Sequence, residues 1–311
     1  MKRTLALAVA AALGLAAPVL AAPVLAAPVL AAPAPAAPAL AVASVPAPAL
    51  WVTTDGDSTV YLFGTIHMLR PGTDWRSPRV EAAFDSASEI WFEVINPDDQ
   101  AALGPVIQQY GLSPDRPLSS LLTPAEQTAF ADAATASGLD AARIDPVRPW
   151  FAALMIGMTP LTRAGFDGKA GVETELRARA LAAGKPVRGL ETIDRQIGGL
   201  ARMSDEGQLV YLRHTLAHRD TAVAEFERAV EGWRVGDEAA VAAFAHDTGR
   251  AISEETHQIF LARRNADWAG QIQTLMQGSG TAFMAVGAAH LSGSDNLIDM
   301  LRARGVEVRR L

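Results

Sequence analysis

The chain of 311 residues contains no cysteine, and this absence removes several classes of protein. It excludes a disulfide scaffold, a thiol nucleophile, a cysteine-ligated zinc site and a lipid anchor on cysteine. A metal ion in this protein would have to be held by histidine and carboxylate groups alone. Nitrogen and oxygen ligands of that kind suit manganese, cobalt or zinc.

Charged residues are almost absent from the first fifty positions, which hold 21 alanines and 8 of the 19 prolines. Lys2 and Arg3 form a basic start, and an apolar run from Leu5 to Leu15 follows. Small-residue cleavage patterns of the kind that ends a signal peptide follow the run, at Ala21, Ala26 and Ala31.

A membrane-spanning helix is the alternative for this segment, and its prolines argue against it. A span needs about 20 helical residues, and prolines at 18, 23, 28 and 33 interrupt every such stretch. We predict a signal peptide over 1–31 and a Pro/Ala-rich linker over 32–50. After cleavage the protein is expected in the periplasm or outside the cell, without stable membrane insertion.

Basic residues are in deficit in the exported part of the chain. Without Lys2 and Arg3, the 27 lysines and arginines become 25 against 34 acidic residues, a formal charge of −9. Phosphate backbones bind basic surfaces, so nucleic acid is excluded as the main partner.

Several common catalytic signatures are missing as well. No histidine is followed by glutamate, and no Gly-x-Ser-x-Gly segment occurs, which excludes two familiar hydrolase motifs. Arg163 stands where a phosphate-binding loop ending at Gly168-Lys169 would need its first glycine.

Strand patterns lie at both ends of region 51–311, and helical patterns lie between them. Runs of β-branched and aromatic residues predict a hairpin over 51–63 and later strands over 89–94, 185–190, 282–286 and 306–310. Helices are predicted over 77–86, 123–137, 171–183 and 295–304, and nearly throughout 192–277, with breaks near Ser204, Gly236 and Ser253. We therefore predict an α/β fold for 51–311. Its central sheet is built from N- and C-terminal strands flanked by helices, with a largely helical insertion over about 96–270.

Two segments share a plan of apolar strand, glycine, two small or apolar residues and histidine. They are Tyr61-Leu-Phe-Gly-Thr-Ile-His67 and Ala282-Phe-Met-Ala-Val-Gly-Ala-Ala-His290. In α/β sheets, ligands bind at the carboxyl ends of strands, which is where both histidines fall. Neutral imidazole is a common ligand for transition metals, so two such histidines predict a shared metal site.

Carboxylates at neighbouring positions extend this candidate site. Glu93 lies within an apolar strand, where a charge is costly unless it is paired or binds a cation. Glu173 opens a helix and Glu191 follows a strand, while Arg264 and Asn265 lie on a late helix and would orient a substrate carbonyl or carboxylate. Structural alternatives stay open: Glu93 pairing with an arginine, Glu173 and Glu191 as helix-start charges, and Arg264 and Asn265 on the surface.

The four other histidines are given a structural interpretation. His214 and His218 are four residues apart, a spacing that can bind metal, but no carboxylate motif frames them, so a solvated helix face is predicted. His246 and His257 have no motif around them.

The combination of these motifs resembles the TraB/GumN family, which includes the pheromone-shutdown protein PrgY and the animal Tiki proteins. The resemblance runs from about Trp51 to Leu311. Its motifs are Gly64-Thr-Ile-His67, Glu93, Gly171-Val-Glu173, Gly189-Leu-Glu-Thr192 with Gln196, Arg264-Asn265 with Trp268, and Val286-Gly-Ala-Ala-His290-Leu-Ser-Gly293.

The resemblance implies an α/β fold related to erythromycin esterase-like and ChaN-like proteins, with the histidines and acids in one cleft. Tiki proteins are regarded as proteases that depend on manganese or cobalt. Position by position, His67, Glu93 and His290 match the family's histidines and strand glutamate. The resemblance thus implies a divalent metal and a peptide or protein substrate.

Three functional hypotheses follow. The first is an exported metal-dependent hydrolase of peptidase type, in which His67, Glu93 and His290 hold a divalent ion. In it, Glu173 or Glu191 would carry the proton, and Arg264 or Asn265 would stabilise the oxyanion. The second is a non-enzymatic protein that sequesters a peptide or polysaccharide. The third is an esterase-like hydrolase that uses histidine and glutamate without metal.

Overall fold

The computed structural model describes residues 46–97 and 99–311. The signal peptide expected over 1–31 and most of the expected linker lie outside the described residues. The first strand begins at Leu50, the residue at which the expected linker ends. No helix within the described ranges is long and apolar enough to cross a membrane.

A mixed six-stranded sheet forms the centre of the fold, in the order β4-β3-β5-β2-β1-β6. Its strands are β1 Leu50–Thr54, β2 Ser58–Thr65, β3 Glu89–Val94, β4 Val187–Glu191, β5 Gly280–Gly287 and β6 Arg309–Arg310. The strands β4, β3, β5 and β2 run parallel, and β1 and β6 complete one edge in antiparallel pairing. The α/β prediction, with N- and C-terminal strands in one sheet, is confirmed.

The central strands are buried on both faces, as parallel strands covered by helices usually are. In β5, six consecutive residues from Ala282 to Gly287 are buried. The hairpin of β1 and β2 turns at Asp55, whose carboxylate accepts backbone hydrogen bonds from Asp57 and Ser58.

Thirteen α-helices follow or surround these strands in the described chain. They are α1 Pro78–Ser86, α2 Gln100–Tyr110, α3 Pro124–Ala136, α4 Ala141–Ile144, α5 Pro149–Arg163, α6 Val172–Ala182, α7 Ile193–Ala201, α8 Asp205–His218, α9 Ala222–Val235, α10 Glu238–Asp247, α11 Glu254–His257, α12 Arg263–Leu275 and α13 Leu297–Ala303. A π-helical turn, Gln258–Ala262, joins α11 to α12, and a 3₁₀ turn, Ala288–Leu291, follows β5.

Capping explains several helix starts. Ser77 accepts from the backbone of Val80 at the start of α1, and Pro78 occupies the first helical position. Thr123 and Glu126 form the expected capping box of α3.

Three apolar clusters hold the layers together. On one face of the sheet, Phe63 and Phe283 pack with side chains of α1 and α6 such as Phe84 and Leu176. On the other face, helices α12 and α13 bring Trp268 and Leu301 against the sheet. A third cluster around Trp150 and Phe151 forms the core of the helical region between β3 and β5.

Some element boundaries differ from those expected. The last strand pairs only at Arg309–Arg310, because only those residues meet β1. Helix α13 begins at Leu297 with Asn296 as its cap, since Asp295 has a left-handed backbone. The expected breaks near Ser204, Gly236 and Ser253 are present, and a further break separates α8 from α9. Strand β4 divides the helical region expected over 96–270.

Candidate functional site

The carboxyl ends of the four parallel strands meet at one cluster of polar side chains. Glu93 lies at the end of β3 and Glu191 at the end of β4. His67 follows the end of β2, and His290 follows β5 in the 3₁₀ turn. Ligands of open α/β sheets bind at this edge, so the topology assembles a site from distant parts of the sequence.

His67 is fixed by a carboxylate at its inner nitrogen. Its Nδ1 atom lies 2.6 Å from Oε1 of Glu173, and the hydroxyl of Thr65 donates to the same oxygen. The side chain of His67 remains 40% exposed, so its Nε2 edge faces the cleft described below.

Gly171 allows the helix that carries Glu173 to approach His67. A Cβ atom at Gly171 would lie 2.1 Å from the carbonyl oxygen of His67, which no side chain tolerates. The amide of Val172 donates to the carbonyl of Ile66 at 3.1 Å in the same contact. The glycine is therefore needed to bring the start of α6 against the chain after β2.

His290 is fixed in the same manner by a neutral partner. Its Nδ1 atom lies 2.7 Å from Oδ1 of Asn265, and its ring packs against the indole of Trp268 with centroids 4.4 Å apart. His290 and Asn265 are both buried.

Glu93 lies between the two imidazoles. Its Oε1 atom is 3.8 Å from Nε2 of His67 and 3.8 Å from Nε2 of His290, and it accepts the amide of Gly287 at 2.8 Å. Its Oε2 atom accepts from Gln196 at 3.2 Å. A Cβ atom at Gly287 would come within 3.2 Å of Glu93 and 3.4 Å of His67, so this glycine keeps the centre of the cluster open.

Arg264 connects two of the carboxylates. Its guanidinium lies 2.5 Å from Oε2 of Glu93 and donates to Glu191 through Nε at 2.9 Å and through Nη2. Its Nη1 atom donates to Nε2 of His290 at 3.1 Å, and the guanidinium stacks on the ring of Trp268. The pairing of Glu93 with an arginine is the structural alternative considered from the sequence.

The pKa values of the two histidines are shifted in opposite directions. Desolvation lowers the pKa of His67, but the carboxylates of Glu173 and Glu93 outweigh it and raise that pKa to about 9. Burial, together with the charge of Arg264, lowers the pKa of His290 to about 3. At neutral pH, His67 carries a positive charge and His290 is neutral.

The pKa values of the three carboxylates are also shifted, and not all in the same direction. Burial alone would raise the pKa of Glu93, but Arg264, His290 and His67 together hold it well below its usual range. Burial raises the pKa of Glu191 despite Arg264. Glu173 is held below its usual pKa by His67, against its burial. Arg264 pairs with Glu93 and Glu191, and His67 pairs with Glu173, so three carboxylates share two cationic groups.

The cluster opens into a cleft of about 890 Å³ between the sheet edge and the helices α5 to α10 and α12. Apolar side chains cover much of its wall, among them Leu154, Met158, Phe226, Phe244, Ile252 and Phe260. This volume lies within the range of small-ligand and cofactor sites. The helical region is therefore the wall of the cleft over the polar cluster.

All seven residues selected from the sequence lie in or behind this cluster. Glu191, Arg264, Glu93 and the two histidines line the cleft, as does Glu173. Asn265 lies behind His290 and does not line it, so its amide holds the imidazole rather than a substrate group. The expectation of a surface position for Arg264 and Asn265 is wrong, because α12 packs this face against β4 and the turn after β5.

His214 is partly buried and His218 is exposed, on the side of α8 that borders the cleft. The rings stack with centroids 4.0 Å apart, and both line the cleft. Sequence reasoning also missed Thr65, which lies inside the first histidine motif and donates to Glu173. Its position two residues before His67, on the inward side of β2, is the signal that would have found it.

Within the described residues, no group of three or more histidine, cysteine, aspartate or glutamate side chains is arranged so that it could hold a metal ion. The physical obstacle is Arg264, whose guanidinium takes both Glu93 Oε2 and His290 Nε2. The donor chemistry of the cluster nevertheless suits a divalent ion. Bonds of about 2.1 Å to one ion place two ligand atoms about 3 to 4 Å apart, as Glu93 and the imidazoles are.

The sequence profile of the TraB/PrgY/gumN family matches residues 49–310, which include every residue of the cluster. The chain belongs to the TraB/PrgY/gumN family. The resemblance seen in the histidine motifs is thereby confirmed.

Individual relatives of this family member are distant. The uncharacterized protein YbaP of Escherichia coli (strain K12) is 28% identical over 153 residues, which are 49% of this chain and 56% of YbaP. YbaP of Shigella flexneri gives the same values. The chain thus spans little more than half the length of these two relatives. An uncharacterized protein of Treponema pallidum (strain Nichols) is 21% identical over 269 residues, 82% of this chain and 80% of that protein.

No solved structure matches the chain. The likeness to erythromycin esterase-like and ChaN-like proteins stays a prediction.

Proposed function

We propose that this protein is an exported metal-dependent hydrolase that cleaves a peptide bond in the cleft. The observation that carries the proposal is the convergence of two imidazole Nε2 atoms on one oxygen of Glu93, each at 3.8 Å. Both imidazoles are held at Nδ1 by an oxygen acceptor, Glu173 for His67 and Asn265 for His290. Metal-binding histidines are usually held in this way, because the bond at one nitrogen directs the other toward the ion.

The charge balance supports a cation at the same place. Glu93, Glu173 and Glu191 share one guanidinium and the imidazolium of His67, and one buried oxygen of Glu173 has no hydrogen-bond partner among the described residues. The raised pKa of His67 reflects the same excess of negative charge. A divalent ion held by His67, Glu93 and His290 would displace the Nε2 proton of His67 and take the place of its charge, and it would compete with Arg264 for His290.

When bound, a divalent ion polarises a carbonyl and lowers the pKa of water. The remaining steps fall to residues of this chain. Arg264 lines the cleft, and its guanidinium would stabilise an oxyanion formed beside it. Glu191 has a raised pKa and lines the same cleft, so it is suited to take a proton from water and return it to the leaving nitrogen.

A second candidate is a hydrolase that works without metal, and the pairing of Arg264 with Glu93 and His290 favours it. In that reading, the protonated His67 supplies the cation, and its Nε2 proton is donated to the leaving group. Glu173 would hold the imidazolium as an aspartate holds the histidine of a serine protease. Glu191 would take the proton of the attacking water and release it to solvent, from which His67 is protonated again, and Arg264 keeps the role given above.

The test begins with the full exported chain, purified without a metal-binding tag and treated with chelator. Binding of manganese, cobalt and zinc is measured by calorimetry, and cleavage of a peptide library by mass spectrometry, with and without each metal. The variants are His67→Ala and His290→Ala, with His246→Ala as control because His246 is exposed and does not line the cleft.

The proposal predicts that metal binding and cleavage are lost in both site variants and kept in the control. Unchanged metal binding and cleavage in His67→Ala and His290→Ala would overturn it. Cleavage that survives chelator but needs His67 supports the second candidate. Tight peptide binding without turnover by the wild type would identify a sequestering protein instead.

A further inference from the structure

A chain of contacts runs from His290 away from the cleft to a second histidine. His290 is bonded to Asn265, whose Nδ2 atom donates to the backbone carbonyl of Asp295 at 2.8 Å. The carboxylate of Asp295 lies 2.9 Å from Nε2 of His257 and 2.6 Å from Nη2 of Arg250. None of these three outer residues lies among the polar side chains of the candidate site.

We propose that Asp295, held by His257 and Arg250, is a positioning residue that fixes the tautomer of His290 through Asn265. Its effect on turnover rests on the proposed function, but its effect on the tautomer does not. The inference follows from which atoms in the chain can donate a hydrogen bond and which can only accept one.

The backbone carbonyl of Asp295 can only accept a hydrogen bond, so the amino end of the Asn265 amide must face it. The oxygen end of that amide then faces His290, and an oxygen also can only accept. The Nδ1 atom of His290 must therefore carry the proton. Its Nε2 atom keeps a lone pair, which lies toward Glu93 and the cleft and accepts from Arg264, so Asn265 and Arg264 favour the same tautomer.

The position of the Asp295 carbonyl depends on its side chain. Asp295 is the one non-glycine residue of the described chain with a positive φ, at 54°, a left-handed conformation that side chains disfavour. The ion pair with Arg250 and the bond to His257 hold the residue in this conformation. Without them, the segment between the 3₁₀ turn and α13 loses its anchor.

The anchor and the site belong to one continuous helical segment. His257 ends α11, the π-helical turn follows, and Arg264 and Asn265 open α12. π-helical turns inside helices are frequent at functional sites because they re-aim the side chains that follow. His257 is only 2% exposed, which is unusual for a histidine with no role in the cleft.

The experiment reads the tautomer directly, by long-range ¹H–¹⁵N correlation NMR on the imidazoles of the full chain, chelated, at neutral pH. The chain has six histidines, and His290→Gln assigns the signal. Asp295→Gly removes the carboxylate but tolerates the left-handed backbone. His257→Leu removes the bond to Asp295, whereas His257→Gln keeps a donor there. His246→Leu is the matched control.

The wild type, His257→Gln and His246→Leu are expected to show His290 protonated at Nδ1 alone. Asp295→Gly and His257→Leu should show a mixture of the two tautomers, with near-UV circular dichroism confirming a folded chain. In an active preparation, kcat should fall about tenfold in those two variants with KM unchanged, the size usual for outer partners of such sites.

A single Nδ1-protonated His290 in both Asp295→Gly and His257→Leu would overturn the inference. The tautomer is measured without substrate or metal. The NMR result can therefore be interpreted even if the protein proves not to be a hydrolase. Conversely, an active enzyme with an unchanged tautomer would refute only the role of Asp295.

Discussion

Nδ1 of His67 lies 2.6 Å from Oε1 of Glu173, and this contact joins the end of β2 to the first turn of α6. It sets the protonation state of His67 and the direction of its free nitrogen. The contact also explains why the two histidine motifs behave differently. A carboxylate holds His67 and an amide holds His290, so the pKa of His67 is raised and that of His290 is not.

Replacing Glu173 with glutamine should lower the pKa of His67. The amide still accepts from Nδ1, but the negative charge that raises the pKa of His67 to about 9 is lost. Histidine NMR titration of the chelated protein measures the shift, and calorimetry should show metal affinity about tenfold weaker. Glu175→Gln is the control, because Glu175 pairs with Arg76 at the surface. An unchanged pKa of His67 in Glu173→Gln would refute this role.

Replacing Arg264 with methionine should destabilise the fold. Glu93 and Glu191 are buried, and the substitution leaves both without their cation. Removing one partner of a buried ion pair costs about 3 to 5 kcal/mol in the free energy of unfolding. Urea denaturation measures the loss. The neighbouring Arg263 is exposed and makes no ion pair within the described chain, so Arg263→Met should stay within about 0.5 kcal/mol of wild type. Equal effects of the two substitutions would contradict the pairing.

Replacing Gly171 with alanine should displace His67. The added Cβ atom would lie 2.1 Å from the His67 carbonyl oxygen, so the start of α6 must move away. Overpacking of this kind costs about 1 to 3 kcal/mol. Gly56→Ala is the control, because no atom lies within 4 Å of a Cβ built at Gly56. Thermal denaturation of both variants measures this loss of stability. Equal melting temperatures would count against the close approach of Gly171 to the His67 carbonyl.

The two site histidines should give opposite pH dependences of stability in the chelated protein. The pKa of His67 is raised from 6.5 to about 9, so its stabilisation is complete below pH 6.5 and is lost as pH rises to 9. The pKa of His290 is lowered to about 3, so its contribution is present above pH 6.5 and is lost as pH falls toward 3.

The free energy of unfolding is measured in urea from about pH 3 to pH 9 for wild type, His67→Gln and His290→Gln. The difference between wild type and each variant gives the contribution of that histidine. His246→Gln controls for loss of an exposed histidine. Two differences that vary in the same direction with pH would contradict these assignments.

Much of the fold and the centre of the site follow from local sequence patterns. Alternation and turn residues identify the β1–β2 hairpin, and the continuous apolar run at 282–286 identifies a buried central strand. The glycine and histidine at the end of each strand then predict that His67 and His290 meet, because parallel strands end at one edge of a sheet. Glu93 joins the predicted site because a charge in an apolar strand is costly unless it is paired or binds a cation.

The outer residues could not be predicted in the same way. Arg264 meets Glu93 only because α12 packs across the sheet, and nothing local indicates which face of that helix is buried. Asn265 and Asp295 act through one amide and one backbone carbonyl, which depend on the left-handed turn before α13. The cleft walls come from helices α5 to α10 and α12, whose mutual packing depends on long-range contacts rather than on local propensity.

The most direct test of the proposed metal site is a crystal structure of this protein with manganese, with data collected at an energy that gives anomalous signal. We expect an anomalous peak within bonding distance of Nε2 of His67, Nε2 of His290 and Oε1 of Glu93, with Arg264 drawn away from His290. An anomalous map without a peak there, with Arg264 still bonded to His290 at saturating manganese, would contradict it.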